Sequence, residues 1–262
     1  MMQINTATPP SPYWPAGWSV DAFSVVDRMM PEFHPSDTVT KYPLRYLRYW
    51  FIRHLLEAHA RKLGRPIDVL EVGVDRGQML AFMDPSPERK IPSIASRWHA
   101  VDVKADEAQL LALGYSGYTS FNVDGSAKPP LERQYDAMIF LHLLEHLHAP
   151  EACLAAFLPF LKDDGIMTGG SPTMPKLFAD LGYEKRLAKN AGNFGHVSVI
   201  SPERIEQFAD THGLKVAFLS GSFLARNNGK AIENSSAWLR LNVAFGSLFP
   251  SLGSEVYFSL SR

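Results

Sequence analysis

One stretch constrains this chain more than any other: I-D-V-L-E-V-G-V-D-R-G, from Ile67 to Gly77. Its first half is apolar and β-branched, the pattern of a buried parallel strand. Its second half carries Glu71, Gly73, Asp75 and Gly77, and Gln78 to Met83 then reads as a helix start. A glycine turn between strand and helix lets backbone approach a ligand. The same turn occurs in α/β proteins without a ligand, so the rest of the chain has to decide.

Downstream of Met83, strands alternate with helices. A second strand over His99–Val103 ends at Asp102, after a long linker over 84–98. A third ends at Phe121–Asp124, with Gly125 and Ser126 as its turn. Tyr135–Leu141 is a near-continuous apolar run and a fourth strand, followed by H-L-L-E-H-L-H from His142 to His148. A helix over Pro150–Leu161, a charged turn at Lys162–Gly165 and a fifth strand at Ile166–Thr168 come next. Ser201-Pro202-Glu203 is a helix start, with an N-cap serine, a first-turn proline and an acid. That helix runs to His212 and stops at Gly213; Leu214–Leu219 is the sixth strand, Ser235–Phe245 a helix, and Glu255–Leu260 the last strand. The order predicts an α/β fold with a doubly wound, mostly parallel seven-stranded sheet. In such sheets a ligand lies beyond the C-terminal strand ends. Glu71, Asp102, Asp124 and His142 all fall there, which points to one site.

Upstream, residues 42–63 form a helix with Leu44, Leu47, Phe51, Leu55 and Leu56 on one side. Arg45, Arg48, Arg53, Arg61 and Lys62 lie on the other, either as a solvated face or as a basic rim facing an anionic substrate. Residues 1–40, dense in proline and aromatics, form an N-terminal extension that packs on the body, and 41–262 form the main domain. Residues 173–198 and 221–254 are inserts suited to building an acceptor pocket.

Composition excludes several classes. A formal net charge of −1 gives no field for nucleic acid or an anionic membrane. One cysteine, Cys153, excludes an internal disulfide framework and reads as a small core residue. No apolar run reaches the roughly 18 residues of a membrane span, and the N-terminus does not read as a secretory leader. The expectation is a cytoplasmic protein with no nucleic-acid partner and no membrane span.

Taken in order over roughly 42–220, these pieces resemble a class I methyltransferase that uses S-adenosylmethionine, with its Rossmann-like fold. E-V-G-V-D-R-G resembles the first motif, E/D-x-G-x-G-x-G, departing at Asp75 where the family has glycine. Y-D-A-M-I-F-L-H-L-L-E-H-L, L-K-D-D-G and G-H-V-S-V-I-S-P-E-R-I-E-Q-F resemble three later segments. The resemblance implies that Glu71, Gly73, Asp75 and Gly77 shape the methionine end, that Asp102 takes the ribose hydroxyls, and that Asp124 takes the adenine amino group. Val103 and Leu141 complete the cofactor set, and Tyr42 and Arg45 would reach the cofactor carboxylate. Ubiquinone-type O-methyltransferases carry E-x-x-E-H after the fourth strand, implicated in holding a divalent metal. Here the string is His142-x-x-Glu145-His146, whose side chains would share one helix face as metal ligands. The other reading of Glu145 and His146 is that they hold the loop through hydrogen bonds.

A sulfonium already activates the methyl group, so the protein must align the acceptor, remove a proton where needed and exclude water. His142, His146 and His196 are the candidate bases, with His146 and His196 matching family positions; His54, His59 and His148 read as surface residues. The leading expectation is O-methylation of a small molecule or sugar. Arg45, Arg48, Arg226, Lys230 and Arg240 would suit a phosphorylated, nucleotide-linked or lipid-linked glycan. The alternatives are a phenol or quinone acceptor with a divalent metal, and a non-catalytic nucleoside-binding module. A nicotinamide dehydrogenase would need G-x-G-x-x-G, which Gly73-x-x-x-Gly77 does not supply. The apolar stretch Trp238–Leu252 offers a homo-oligomer contact.

Overall fold

The computed structural model describes residues 43–83, 91–124, 127–173, 195–222, 232 and 235–262. The expected N-terminal extension, Tyr42, Arg226, Lys230 and most of the first insert lie outside these residues, as does the side chain of Arg45.

The sheet has seven strands: β1 Ile67–Val72, β2 Ala95–Asp102, β3 Gly117–Ser120, β4 Tyr135–Leu141, β5 Leu161–Pro172, β6 Lys215–Ser222 and β7 Glu255–Ser261. Their order is β3-β2-β1-β4-β5-β7-β6. Strands β1 to β5 pair in parallel, while β7 inserts antiparallel between β5 and β6. The order reverses between β1 and β4, which opens a crevice above their C-terminal ends.

Period-two alternation sorts the core onto two faces. On β1, Leu70 and Val72 join Met138 and Phe140 of β4 on one face. Helices α4 (Pro150–Phe157) and α5 (Pro202–Thr211) cover that face through Leu154, Phe157, Ile205 and Phe208. Val69, Ala137 and Ile139 point the other way, under α1 (Pro43–Leu63), α2 (Gln78–Met83) and α3 (Glu107–Ala112). Farther along the sheet, Phe51 of α1 stacks on Tyr257 of β7 with ring centroids 4.2 Å apart. Helix α6 (Ser236–Leu248) closes this end backbone to backbone: a Cβ at Gly246 would collide with the Gly221 carbonyl oxygen on β6. At the helix's C-terminal end and just past it, Leu248, Phe249 and Leu252 are exposed.

Several expected boundaries move, among them the start of β2, which at Ala95 takes in the end of the expected 84–98 linker. Strand β3 ends at Ser120, before Phe121–Asp124. Past that point Asn122 Oδ1 accepts from the Asp124 N–H at 3.0 Å, a local turn that competes with the ladder. The charged turn Lys162–Gly165 is a bulge inside β5, between the Tyr135–Leu161 and Ala137–Ile166 pairs. The helix after β4 stops at Phe157 and continues as one 3-10 turn to Phe160, tightened around Pro159.

At the strand ends away from the crevice, the fully buried Asp136 pins three elements. Arg65 grips it bidentately at 2.9 and 2.6 Å, Lys162 Nζ donates at 3.0 Å and the Asp68 N–H at 2.8 Å. No helix among the described residues is long and apolar enough to cross a membrane.

Candidate functional site

A cleft of about 640 Å³ lies above the ends of β1, β2 and β4. Its floor is the turn after β1. Gly73 and Gly77 have φ of 78° and 76°, and Asp75 is left-handed at 49°. Glycine takes that conformation without steric cost, whereas an aspartate there needs local support. Asp75 has it: its N–H donates to Asp102 Oδ2 at 3.2 Å and its own Oδ2 accepts from Gln78 Nε2 at 2.9 Å. The residue that departs from the resembled motif is thus tied into the turn itself.

Asp102 ends β2 and faces the same cleft. Its Oδ1 accepts from the Lys104 and Ala105 N–H groups at 2.8 and 3.2 Å, which fixes the carboxylate beside the glycine turn. Glu71 lies beneath, 4% exposed yet lining the cleft. Trp98 Nε1 and the Tyr115 hydroxyl both donate to its Oε2 at 2.8 Å. Burial nevertheless raises its carboxyl to about 7; those two hydrogen bonds work the other way, and the nearby Asp102 charge adds to the rise.

Leu141 and His142 form the wall at the end of β4. His142 is left-handed, with φ 52°, and its N–H extends the ladder to the Gly170 carbonyl at 2.7 Å. The next residues are not an α-helix but a single 3-10 turn, Leu144–His146, so the expected i, i+3, i+4 helix face does not form. His142 Nδ1 instead lies 3.2 Å from Oε1 of the fully buried Glu145, and its Nε2 lies 3.7 Å from Glu255 Oε1 on β7. Burial works against ionisation of Glu145, but the His142 hydrogen bond and the His142 and His146 charges outweigh it, so the carboxyl lies below its ordinary value.

His196 arrives from far along the sequence by a backbone clamp. The Val197 and Ser198 N–H groups donate to the Glu145 carbonyl at 2.8 and 3.0 Å, and Ser198 Oγ donates to the Leu147 carbonyl at 2.6 Å. Arg204 fastens the following residues, gripping Glu151 at 2.7 and 2.8 Å and the Val199 carbonyl at 2.6 Å. The His146 and His196 rings therefore meet edge to face with centroids 5.2 Å apart. Ligand atoms of Glu145, His146 and His196 all lie within 4.8 Å of one another. His196 takes the place in this cluster that the sequence reading gave to His142.

Other residues fall differently. Val103 is exposed next to Asp102, and neither it nor Asp124 lines the cleft. Asp124 accepts from the His148 N–H at 2.9 Å and pairs with its ring at 2.7 Å. Its slight burial opposes ionisation, but the His148 side chain and backbone outweigh that and lower the carboxyl. His54 and His59 are not surface residues: both lie on α1 and are largely enclosed, and burial, then Arg53 and Arg61, pushes His54 down to about 3. Burial, then the Asp124 charge, raises Cys153 to about 12, which suits a core thiol.

Among the described basic side chains of α1, Arg48 turns inward. It lines the cleft and donates from Nη2 to Glu255 at 3.2 Å, whereas Arg53 is spent on Glu57 at 2.8 Å. Helical spacing put Arg48 on the basic side, but no sequence signal paired it with Glu255. At the adjoining ends of β5, β6 and β7, the hydroxyls of Ser171, Thr173, Ser222 and Ser254 are buried without a hydrogen-bond partner among the described residues.

A family model for a methyltransferase domain matches residues 44–217. The chain belongs to that family. With the seven-stranded sheet, it is a class I S-adenosylmethionine-dependent methyltransferase. No curated protein matches its sequence. Among solved structures it is similar to a Bacillus halodurans protein assigned as a methyltransferase, at 11% identity and TM-score 0.50, covering 78% of this chain and 97% of that one. It is also similar to the plantazolicin methyltransferase BamL, solved with a triazolic desmethylPZN analogue and SAH, at 14% identity and TM-score 0.51, covering 92% and 96%. A complex of a methyltransferase with the Haloferax volcanii Trm112 activator gives 14% identity and TM-score 0.51, covering 92% and 94%. At these identities the likeness concerns the fold of the methyltransferase.

Proposed function

We propose that the cleft holds S-adenosylmethionine with its methionine end over Gly73–Gly77 and its ribose at Asp102, and that the chain O-methylates a small hydroxylated molecule, of which a sugar fits best. The residues suit the cofactor: a left-handed glycine turn lies beside a fixed carboxylate at the end of β2, and an acid forms the floor where the positive amino-acid end would rest. When bound, the cofactor supplies an electrophilic methyl group. Arg48 is placed to meet its carboxylate, a task the sequence reading gave to Tyr42 and Arg45. Val103 and Asp124 remain proposed for the adenine end, with Asp124 released from His148 to take part.

The observation that carries the acceptor class is the group of hydroxyls on Ser171, Thr173, Ser222 and Ser254, around Glu255 in the sheet register, which are buried without a hydrogen-bond partner among the described residues. Each buried hydroxyl without a partner costs about 1–3 kcal/mol. A polyhydroxylated acceptor would offer such hydroxyls more partners than a phenol or quinone, which brings one or two oxygens. The exposed apolar residues at the C-terminal end of α6 and just past it suit the expected contact between copies of the chain.

His146 and His196 are the proposed proton acceptors, because His146 lines the cleft and its ring meets that of His196, whose neighbours Gly195 and Val197 also line it. His142 is less suited to that task, since it sits between two carboxylates. A second reading rests on the cluster of Glu145, His146 and His196, whose donor set fits a divalent cation acting as a Lewis acid on the acceptor oxygen. His196→Ala should lower turnover at least tenfold with cofactor affinity nearly unchanged, in line with the loss of a general base. Equal loss of both would make His196 structural, and inhibition of the wild type by a chelator would favour the metal reading. Asp102→Ala should weaken S-adenosylhomocysteine binding by about 2 kcal/mol, through loss of charge-assisted hydrogen bonds. Unchanged affinity in calorimetry would move the ribose elsewhere.

A further inference from the structure

Glu255 opens β7, far along the chain from the glycine turn, yet it is fully buried and reached by groups from two other elements and from its own strand. Arg48 Nη2, from α1, donates to its Oε1 at 3.2 Å. His142 Nε2, from the end of β4, lies 3.7 Å from the same oxygen. The hydroxyl of Tyr257, itself fully buried, donates to Oε2. Arg48 and His142 both line the cleft, whereas Glu255 does not. One buried carboxylate thus stands behind two cationic or hydrogen-bonding walls of the site, with Tyr257 holding its far oxygen.

We propose that Glu255 is a positioning residue: it sets Arg48 and His142 so that the amino-acid end of the methyl donor is held at the β1–β4 crevice. The proposal rests on the cofactor reading above. The antiparallel insertion of β7 next to β5 is what brings Glu255 there. Its register partners are Pro172 on β5 and Ser222 on β6, so it stands at the sheet edge that carries the crevice. A long arginine side chain has many rotamers, and one buried, fixed acceptor removes most of them before the ligand arrives. A carboxylate shared by an arginine and an imidazole also sets the spacing between them. Loss of the charge would release Arg48 while leaving the glycine turn and Asp102 untouched, so the nucleoside end of the site should not respond.

The test compares two ligands by calorimetry: S-adenosylhomocysteine, which has the amino-acid end, and 5′-methylthioadenosine, which lacks it. Glu255→Gln should weaken the first about tenfold, the effect of one charge-assisted hydrogen bond, and leave the second unchanged. Glu255→Asp should recover part of the loss. Tyr257→Phe, which keeps the ring stacked on Phe51 but removes the hydroxyl, should weaken the first ligand several-fold and spare the second. It also keeps the proposal open to refutation if Glu255→Gln fails to fold. Equal weakening of both ligands in a folded variant, or no change in either, overturns the assignment of Glu255. A wild-type chain that binds neither ligand overturns the cofactor reading itself, which is a different outcome.

Discussion

Glu71→Gln is expected to stabilise the ligand-free chain at pH 8 and to flatten its stability between about pH 4.5 and 7. Glu71 has its carboxyl raised from 4.5 to about 7, chiefly by burial. The folded state therefore binds more protons than the unfolded chain within that window, and wild-type stability falls as pH rises through it. Above pH 7 the withheld stability is about 3 kcal/mol, from 1.36 kcal/mol for each pH unit of displacement. Glutamine keeps an oxygen for Trp98 and Tyr115, the two donors at 2.8 Å, and carries no charge to desolvate. The expected gain at pH 8 is about 2–3 kcal/mol by urea unfolding, together with weaker binding of S-adenosylmethionine, whose positive end would compensate the ionised acid. Loss of stability with the pH slope intact would show that Glu71 is not the titrating group.

Asp136→Ala is expected to act the other way and far from the crevice. Arg65, Lys162 and the Asp68 N–H converge on this fully buried carboxylate. Burial alone would raise it, but those three donors outweigh burial and hold it at about 2. A depressed carboxyl contributes stability above its unfolded value near 3.8, and that contribution is lost as pH falls through about 2. Removing one member of a buried ion pair costs about 3 kcal/mol or more, so the variant should melt well below the wild type at pH 7. The difference should shrink in acid. Cofactor affinity below the melting transition should be unchanged, because Asp136 lies at the opposite strand ends. A variant as stable as the wild type would mean that Arg65 and Lys162 find solvent at no net cost.

Much of the sheet was legible because buried parallel strands write themselves as apolar runs. The β1 and β4 runs are of that kind, and an acid at a strand end marked Asp102. Local rules failed where a side chain redirected the backbone. Asn122 turned the chain early, so β3 was placed too late, and His142 in a left-handed conformation broke the helix face expected for His142, Glu145 and His146. The site's supporting groups were illegible for a different reason. Trp98 and Tyr115 reach Glu71, and Glu255 reaches Arg48, only through tertiary pairing, and nothing near each residue announces its partner. His196 was found by resemblance; its meeting with His146 depends on two backbone N–H groups donating to the Glu145 carbonyl, which no side-chain pattern encodes.

Titration of the wild-type chain with S-adenosylhomocysteine, repeated in the presence of NAD, tests the central claim most directly. The account predicts a saturable heat of binding that NAD does not diminish. Absence of any heat with S-adenosylhomocysteine, or its displacement by NAD, would contradict it.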